Sequence, residues 1–467
     1  MTSYLFYDLE TTGTNPCFDQ IVQFAAIRTD AQFNEIDRHE FLVKLNRDTI
    51  PNPYAQITHQ ISMERMNNGI SEFKAINKIH RLMNEFGTIS LGYNTLGFDD
   101  VFLRFAFYRN LLSPYTHQYN NQCRRMDIYP ITLIFYLFKR DILNWPEKDG
   151  RLSLKLEAIN ECNGFVAGQA HDAMVDVSAT LALAKVFFAE QETWQYVNDY
   201  FIKAIDEQRL SKLPKAFANY GYGLMISGEF GTKQLYQAPV LILGQHHHYR
   251  NQFACLRLDL AQLRQTTTDN PDNAWVINKK LAEPGFILPP SKRFLALLND
   301  QSYQEMKENL AWLQKNPSTL KAIRDYYCNY TYPNIPETDT DAALYLNGFW
   351  TTAEQQICAD FHRAGAAEKS VLAARIRNPR LKELATRVLG RHFPQTMTDD
   401  QREDFHQYLQ KVFSSAPPID YKGQPRYSIA NALTDITALE KQTDSLTPTQ
   451  QKQITALKNY VLKLENY

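Results

Sequence analysis

The stretch Ser3-Tyr-Leu-Phe-Tyr-Asp-Leu-Glu-Thr-Thr-Gly13 is an apolar, β-prone run that stops at a glycine turn, with Asp8 and Glu10 near its end. Side chains two apart in a strand share a face, so the two carboxylates continue the row begun by Phe6, roughly 6–7 Å apart, at the rim of a core. Such a pair can grip a divalent cation. Taken alone, it equally fits two acids that meet solvent or cap the next turn.

Residues 21–27 (Ile-Val-Gln-Phe-Ala-Ala-Ile) and 40–45 follow turn residues and predict two strands that form a three-stranded meander with the first. Residues 89–93 read as a further strand and 100–110 as the helix after it. Residues 173–188 combine helical periodicity with strong helix formers. Strands mixed with helices over some 190 residues indicate an α/β domain.

Between residues 193 and 343 short β runs (223–227, 239–243, 254–260) separated by Gly, Asn and His predict a small β-barrel with helical additions. From residue 351 the chain turns rich in Gln, Lys, Leu and Ala, with stops at Pro394, Pro417-Pro418 and Pro448, which predicts a helical bundle ending in a long helix over 450–467. A chain of 467 residues exceeds one ordinary core, and the expected division is 1–192, 193–343 and 344–467.

No apolar run approaches the roughly 18 residues of a membrane helix, and the first strand starts within three residues, leaving no room for a secretion signal. A soluble, cytoplasmic protein is expected, and nothing argues for an obligate oligomer, so a monomer is too. The six cysteines are scattered without C-x-x-C spacing and read as free thiols. Lys plus Arg (50) nearly balance Asp plus Glu (51), which excludes a general polycation and requires any nucleic-acid contact to use a local groove.

Two further motifs carry acids. In Asn94-Thr-Leu-Gly-Phe-Asp99, Asp99 fits either a helix cap or a metal ligand, and the two roles are compatible. In His171-Asp-Ala-Met-Val-Asp176, Asp172 reads as the cap of the following helix and stays outside the ligand set, whereas Asp176 lies one turn further on the same face. His171 alone would pass for a surface histidine. His246-His247-His248 alternate faces and suit a loop better than a three-ligand site.

Together Asp8-Leu-Glu-Thr11, residues 94–99 and residues 171–176 resemble the DEDD exonuclease superfamily, in its His-type branch because His171 stands five residues before Asp176. Residues 23–30, Gly92-Tyr-Asn94, Phe98-Asp-Asp100, Asn144-Trp-Pro-Glu147, Ala170-His-Asp-Ala-Met174 and Leu346-Asn-Gly-Phe-Trp350 look like segments of the exonuclease I family within it. The resemblance implies an RNase H-like exonuclease domain, an SH3-like barrel and an all-α C-terminal domain. It implies 3′→5′ degradation of single-stranded DNA to 5′-mononucleotides in repair and recombination. Asp8, Glu10, Asp99 and Asp176 would hold two Mg²⁺ ions, with Mn²⁺ as a substitute, and His171 would be the general base. Imidazole suits that role because it titrates near neutrality.

Candidates for substrate contact are Glu10, Arg104, Tyr108, Arg109, Arg124, Arg125 and Lys155, each cation having the simpler reading of a solvated charge. Thr58-His59-Gln60-Ile61 sits where related exonucleases have a loop near the terminal base, although a turn is the plainer reading. The resemblance also implies a protein partner, the acidic tail of single-stranded DNA-binding protein, with Lys139 and Arg140 as its candidate contacts. Two rival readings are an RNA-trimming exonuclease, disfavoured by the large additional segments, and a non-catalytic binding protein, disfavoured by the presence of all five groups.

Overall fold

The computed structural model describes residues 2–168, 171–346, 348–442 and 446–464. Ala170, Asn347 and the last three residues of the expected final helix lie outside the described residues. β1 (Ser3–Thr11) is central to the first sheet. On one side it pairs antiparallel with β2 (Ile21–Thr29), followed by β3 (Glu35–Lys44) and β4 (Ile70–Ser71). On the other it runs parallel to β5 (Thr88–Leu91), which pairs with β6 (Arg124–Arg125).

The expected meander is present, but β3 starts five residues before the expected strand. Residues 35–39 lack apolar alternation because that end of the strand faces solvent, yet their backbones complete the ladder, with Arg38 opposite Ile27 and Asp37 opposite Arg28.

Both faces of the sheet are covered. Leu5, Tyr7 and Leu9 pack with Ile76, Ile79, Phe102 and Leu103 of the helices Glu72–Met83 and Asp99–Arg109. Tyr4 and Phe6 pack with Val177 and Phe187 of the helix Ala173–Ala189. Asp8 and Glu10 extend the Tyr4–Phe6 row past the last β1–β5 pair, Phe6 opposite Leu91, so the strand end beside them is open. Gly92 lets the chain leaving β5 pass close to β1: a Cβ there would run into the Tyr7 carbonyl and the Thr95 side chain.

A hairpin of β7 (Glu147–Lys148) and β8 (Arg151–Leu152) leads towards the SH3-like unit. That unit contains β9 (Lys215–Phe217), β10 (Tyr220–Ile226), β11 (Gln237–Gln245), β12 (Gln252–Arg257), β13 (Val276–Lys280) and β14 (Phe286–Leu288), in the antiparallel order β13-β12-β11-β10-β14, with β9 also on β10. Leu224, Ile226, Phe286 and Leu288 share one core with Phe135, Phe187 and Tyr200 of the preceding segments. Position 192/193 lies within the helix Gln191–Asn198, and 343/344 within the 3₁₀ turn Thr340–Tyr345, whose Ala342 and Leu344 are buried among the C-terminal helices.

The third unit is all helical: Thr352–Arg363, Ala366–Arg375, Pro379–His392, Asp399–Phe413, Ile429–Glu440 and Pro448–Leu464. Among the described residues no helix is long and apolar enough to cross a membrane. All six cysteines are unpaired, and only Cys162 is exposed.

A buried ion cluster joins the first and third units. Arg391 Nη2 lies 2.8 Å from Asp48 and 2.5 Å from Asp341, and Arg387 lies 2.6 Å from Asp339 and 3.0 Å from Asp341. The Tyr408 hydroxyl donates to Asp48 at 2.7 Å and accepts from Arg426 at 2.8 Å. Burial opposes ionisation of Asp48 and Asp341, but the guanidinium groups of Arg391, Arg426 and Arg387 outweigh it and hold both acids well below the ordinary carboxylate range.

A depressed carboxyl stabilises the fold fully above the unfolded value near 4, and that stabilisation is lost as pH falls below it. Replacing one partner leaves the others buried and uncompensated, so Arg391→Ala is expected to cost about 3–5 kcal/mol in denaturant unfolding and to flatten the loss of stability between pH 5 and 3. A variant as stable as the parent would remove this cluster from the interface.

Candidate active site and metal centre

Asp8, Glu10, Asp99, His171 and Asp176 all line one cavity of about 510 Å³. Three separate chain segments deliver them. Asp8 and Glu10 come from the open end of β1. Asp99 is the first residue of the helix Asp99–Arg109 and not its cap, which corrects the capping expectation: Phe98 occupies the cap position without a side-chain hydrogen bond, and the Asp99 carboxylate instead accepts from the Leu9 backbone N–H.

The turn leading to Asp99 is held by Asp127, whose carboxylate accepts from the N–H groups of Asn94 (2.8 Å), Leu96 (3.0 Å) and Tyr129 (2.9 Å). His171 has a left-handed backbone (φ 62°) immediately before the helix Ala173–Ala189. Asp172 caps that helix, accepting from Met174 N–H at 3.0 Å, and Asp176 follows one turn later.

Glu10, His171 and Asp176 present donor atoms within 4.8 Å of one another. Asp8 and Asp99 lie deeper, and no Lys or Arg is among the residues lining the cavity. Burial, then the charges of Asp99 and Glu10, push Asp8 well above the ordinary carboxylate range. Burial, then Asp176, take Glu10 up to about 9. Burial takes Asp99 up to about 8 against its backbone hydrogen bonds, and Asp176 up to about 6 against the neighbouring His171. Four carboxyl groups and an imidazole without a counter-charge make a donor set that fits a hard divalent cation.

A groove of about 910 Å³ continues from the same acids, sharing Asp8, Tyr93, Asn94, His171 and Asp176 with the cavity. It runs past residues 152–157 to Ser227, Glu229 and Tyr236 of the SH3-like unit. Tyr93 and Tyr129 meet edge to face at 5.5 Å along it, and the Tyr93 hydroxyl donates to the Leu154 carbonyl at 2.5 Å. Lys155 lines this groove with its side chain largely exposed, 3.6 Å from Glu157.

The other cationic candidates are not brought here. Arg104 (3.2 Å), Arg125 (2.6 Å) and His117 (2.9 Å) surround the buried Asp100, which corrects Arg104 from a free groove cation to a structural one. Arg109 donates to the carbonyls of Pro16, Cys17 and Asp19. Arg124 is level with Tyr4 through Ile89, about 13 Å of strand away from Asp8. Tyr108 is buried with its ring 5.9 Å from Trp350. Lys139 pairs with Glu190 at 2.6 Å, while Arg140 is exposed over the Tyr136 ring.

Sequence reasoning missed Tyr129 and Tyr236 as groove residues and Asp127 as the clamp of the Asp99 turn. Asp127 two residues before Tyr129, at the head of an apolar run, carried the signal of a helix cap. Residues 53–59 form a short helix whose Tyr54, Thr58 and His59 also line the acid cavity, with Gln60 as the left-handed turn residue. The three histidines end β11 as a loop: His246 Nδ1 accepts from the N–H groups of His248 and Tyr249.

Comparison with known proteins agrees with this geometry. The Exonuclease family model matches residues 5–184, and the Exonuclease I C-terminal domain model matches residues 338–464. Exodeoxyribonuclease I of Escherichia coli (strain K12) is 31% identical over 450 residues, covering 88% of this chain and 90% of that one. The crystal structure of E. coli Exonuclease I in complex with a dA16 oligonucleotide superposes with a TM-score of 0.86 at 26% identity, covering 99% of this chain and 100% of that one. A crystal structure of SSB/Exonuclease I in complex with the inhibitor CFAM gives a TM-score of 0.84 at 25% identity, with the same coverage.

The raised acids fix a pH dependence. At Glu10 and Asp99 the folded chain holds protons that the unfolded one has lost between about pH 4, where free carboxyls titrate, and the raised values near 9 and 8, so the contribution of these two acids to metal-free stability falls as pH rises through that window. Glu10→Gln removes one of these groups. In EDTA at pH 8 it is expected to raise Tm by roughly 2–4 °C. It should also abolish most of the further rise that a divalent cation gives the parent. An unchanged Tm together with a full cation response would take Glu10 out of the site.

Proposed function

Because the chain belongs to the exodeoxyribonuclease I family, we propose that it shortens single-stranded DNA from the 3′ end, releasing 5′-mononucleotides by phosphodiester hydrolysis. The observation that carries this reading is the convergence of Asp8, Glu10, Asp99, Asp176 and His171 in one cavity that opens into a groove. In this reading the four carboxylates hold two Mg²⁺ ions, or Mn²⁺ in their place. Bound there, the cations would offset the acids, neutralise the scissile phosphate and stabilise charge on the leaving 3′ oxygen.

The protein's own groups do the rest. His171, exposed at the cavity mouth beside Glu10 and Asp176, takes the proton of the attacking water. Asp127 keeps the Asp99 turn in place without touching the substrate. Tyr93, Tyr129 and Tyr236 give the groove faces on which bases can stack, and Lys155 meets a backbone phosphate as a point charge.

The relative solved with a dA16 oligonucleotide supports the substrate class, and the SSB/Exonuclease I complex supports a partner, the tail of single-stranded DNA-binding protein, for which exposed Arg140 is the better placed of the two basic candidates. The chain then acts as a cytoplasmic monomer in DNA repair and recombination.

Digestion of 5′-labelled single-stranded DNA, its duplex and its RNA counterpart, with Mg²⁺ or EDTA, tests the assignment. Metal-dependent shortening from the 3′ end confined to single-stranded DNA is expected, and preferential loss of RNA would overturn it. His171→Ala should lower turnover by roughly 10²–10⁴-fold while leaving DNA affinity near that of the parent. Undiminished turnover would remove it from the mechanism.

A further inference from the structure

One wall of the acid cavity is built by the first unit but held by the third. The wall is the helix Pro53–His59, whose Tyr54, Ala55, Thr58 and His59 face the acids. His59 is buried, and its Nδ1 accepts the Ile61 N–H at 3.0 Å, so the neutral ring carries its proton on Nε2 and can only donate there. Tyr54 is 45% exposed and offers a ring face. A seven-residue helix has little stability of its own. It also ends at Gln60, whose left-handed backbone (φ 55°) is unfavourable for any residue but glycine.

What fixes it is the C-terminal bundle. Ile50, Ile61, Met63 and Met66 share a core with residues of the last two helices, among them Ile436 and Leu457. The carbonyls that a helix leaves open at its C-terminal end are met from the same side: Gln450 Nε2 donates to the Ile57 carbonyl at 3.1 Å, and Gln453 Nε2 donates to the Gln60 carbonyl. Gln453 is buried, and Gln450 is itself fixed by its reciprocal capping bonds with Thr447.

We propose that Gln453, supported by Gln450, is a positioning residue for the 3′-terminal nucleotide. By holding Gln60 in its left-handed turn it sets the wall on which Tyr54 stacks, and towards which His59 donates, so that the helical domain takes part in recognising the strand end. The proposal rests on the exonuclease reading of the cavity.

The test is steady-state kinetics of the full chain on a single-stranded DNA oligomer and on the same oligomer lacking its 3′-terminal base. Gln453→Met keeps the side-chain volume and removes the donor. It is expected to raise KM about 5–10-fold on the complete oligomer while changing kcat by less than about threefold. On the oligomer without the terminal base, variant and parent should agree. Adding Gln60→Gly, which relieves the left-handed turn, should return KM of the double variant towards the parent's. An unchanged KM, an equal penalty on both oligomers, or no rescue by glycine in a double variant that melts at the parent's temperature would overturn the proposal. Absence of metal-dependent shortening by the parent would overturn the exonuclease reading itself, and the proposal with it.

Discussion

Like charges do not assemble themselves. Asp8, Glu10, Asp99 and Asp176 repel one another in a cavity with no Lys or Arg among its described lining residues, so their proximity is imposed by the backbone around them. Each anchor is independent of the acids. The β1 ladder with β2 and β5 carries two of them, the Asp127 carboxylate clamps the turn before the third, and a left-handed residue followed by an Asp172-capped helix delivers the fourth. The rest of the fold exists to keep those anchors stiff, from the helices on both faces of the sheet to the glycine at the end of β5.

The chain treats buried carboxylates elsewhere in the opposite way. Asp100, adjacent to Asp99 in sequence, is surrounded by Arg104, Arg125 and His117, and Asp48 by Arg391 and Arg426. Burial raises the affinity for protons in every case, but only where guanidinium groups stand close does the carboxyl end below its ordinary range. Two neighbouring aspartates therefore differ by what faces them: Asp100 meets two guanidinium groups and an imidazole, whereas Asp99 meets other acids and backbone N–H groups.

The acids were legible because period-two and helix-start geometry act over a few residues. The row Phe6, Asp8, Glu10 and the pair His171 and Asp176 need only local structure to land on one side. The cations were not legible, since a positive side chain is defined by its partner and the partners are remote or inconspicuous. Arg124 and Tyr108 are placed by sheet pairing and by packing against Trp350, neither visible locally. Arg104 was the exception, because its spacing of four from Asp100 already signalled an intrahelical pair. The edges of the units escaped for a related reason: Leu224, Ile226, Phe286 and Leu288 fill a core begun by residues far upstream, so no polar seam in the sequence marks where one unit stops.

That shared core sets an order of events during synthesis. The first 192 residues leave the ribosome with an apolar face that stays uncovered until β14, at Phe286–Leu288, has emerged. The cavity wall at residues 53–59 waits longer still, because the side chains that meet its last carbonyls stand 393 positions downstream. A nascent chain can therefore display every acid of the cavity without having assembled the surface around them.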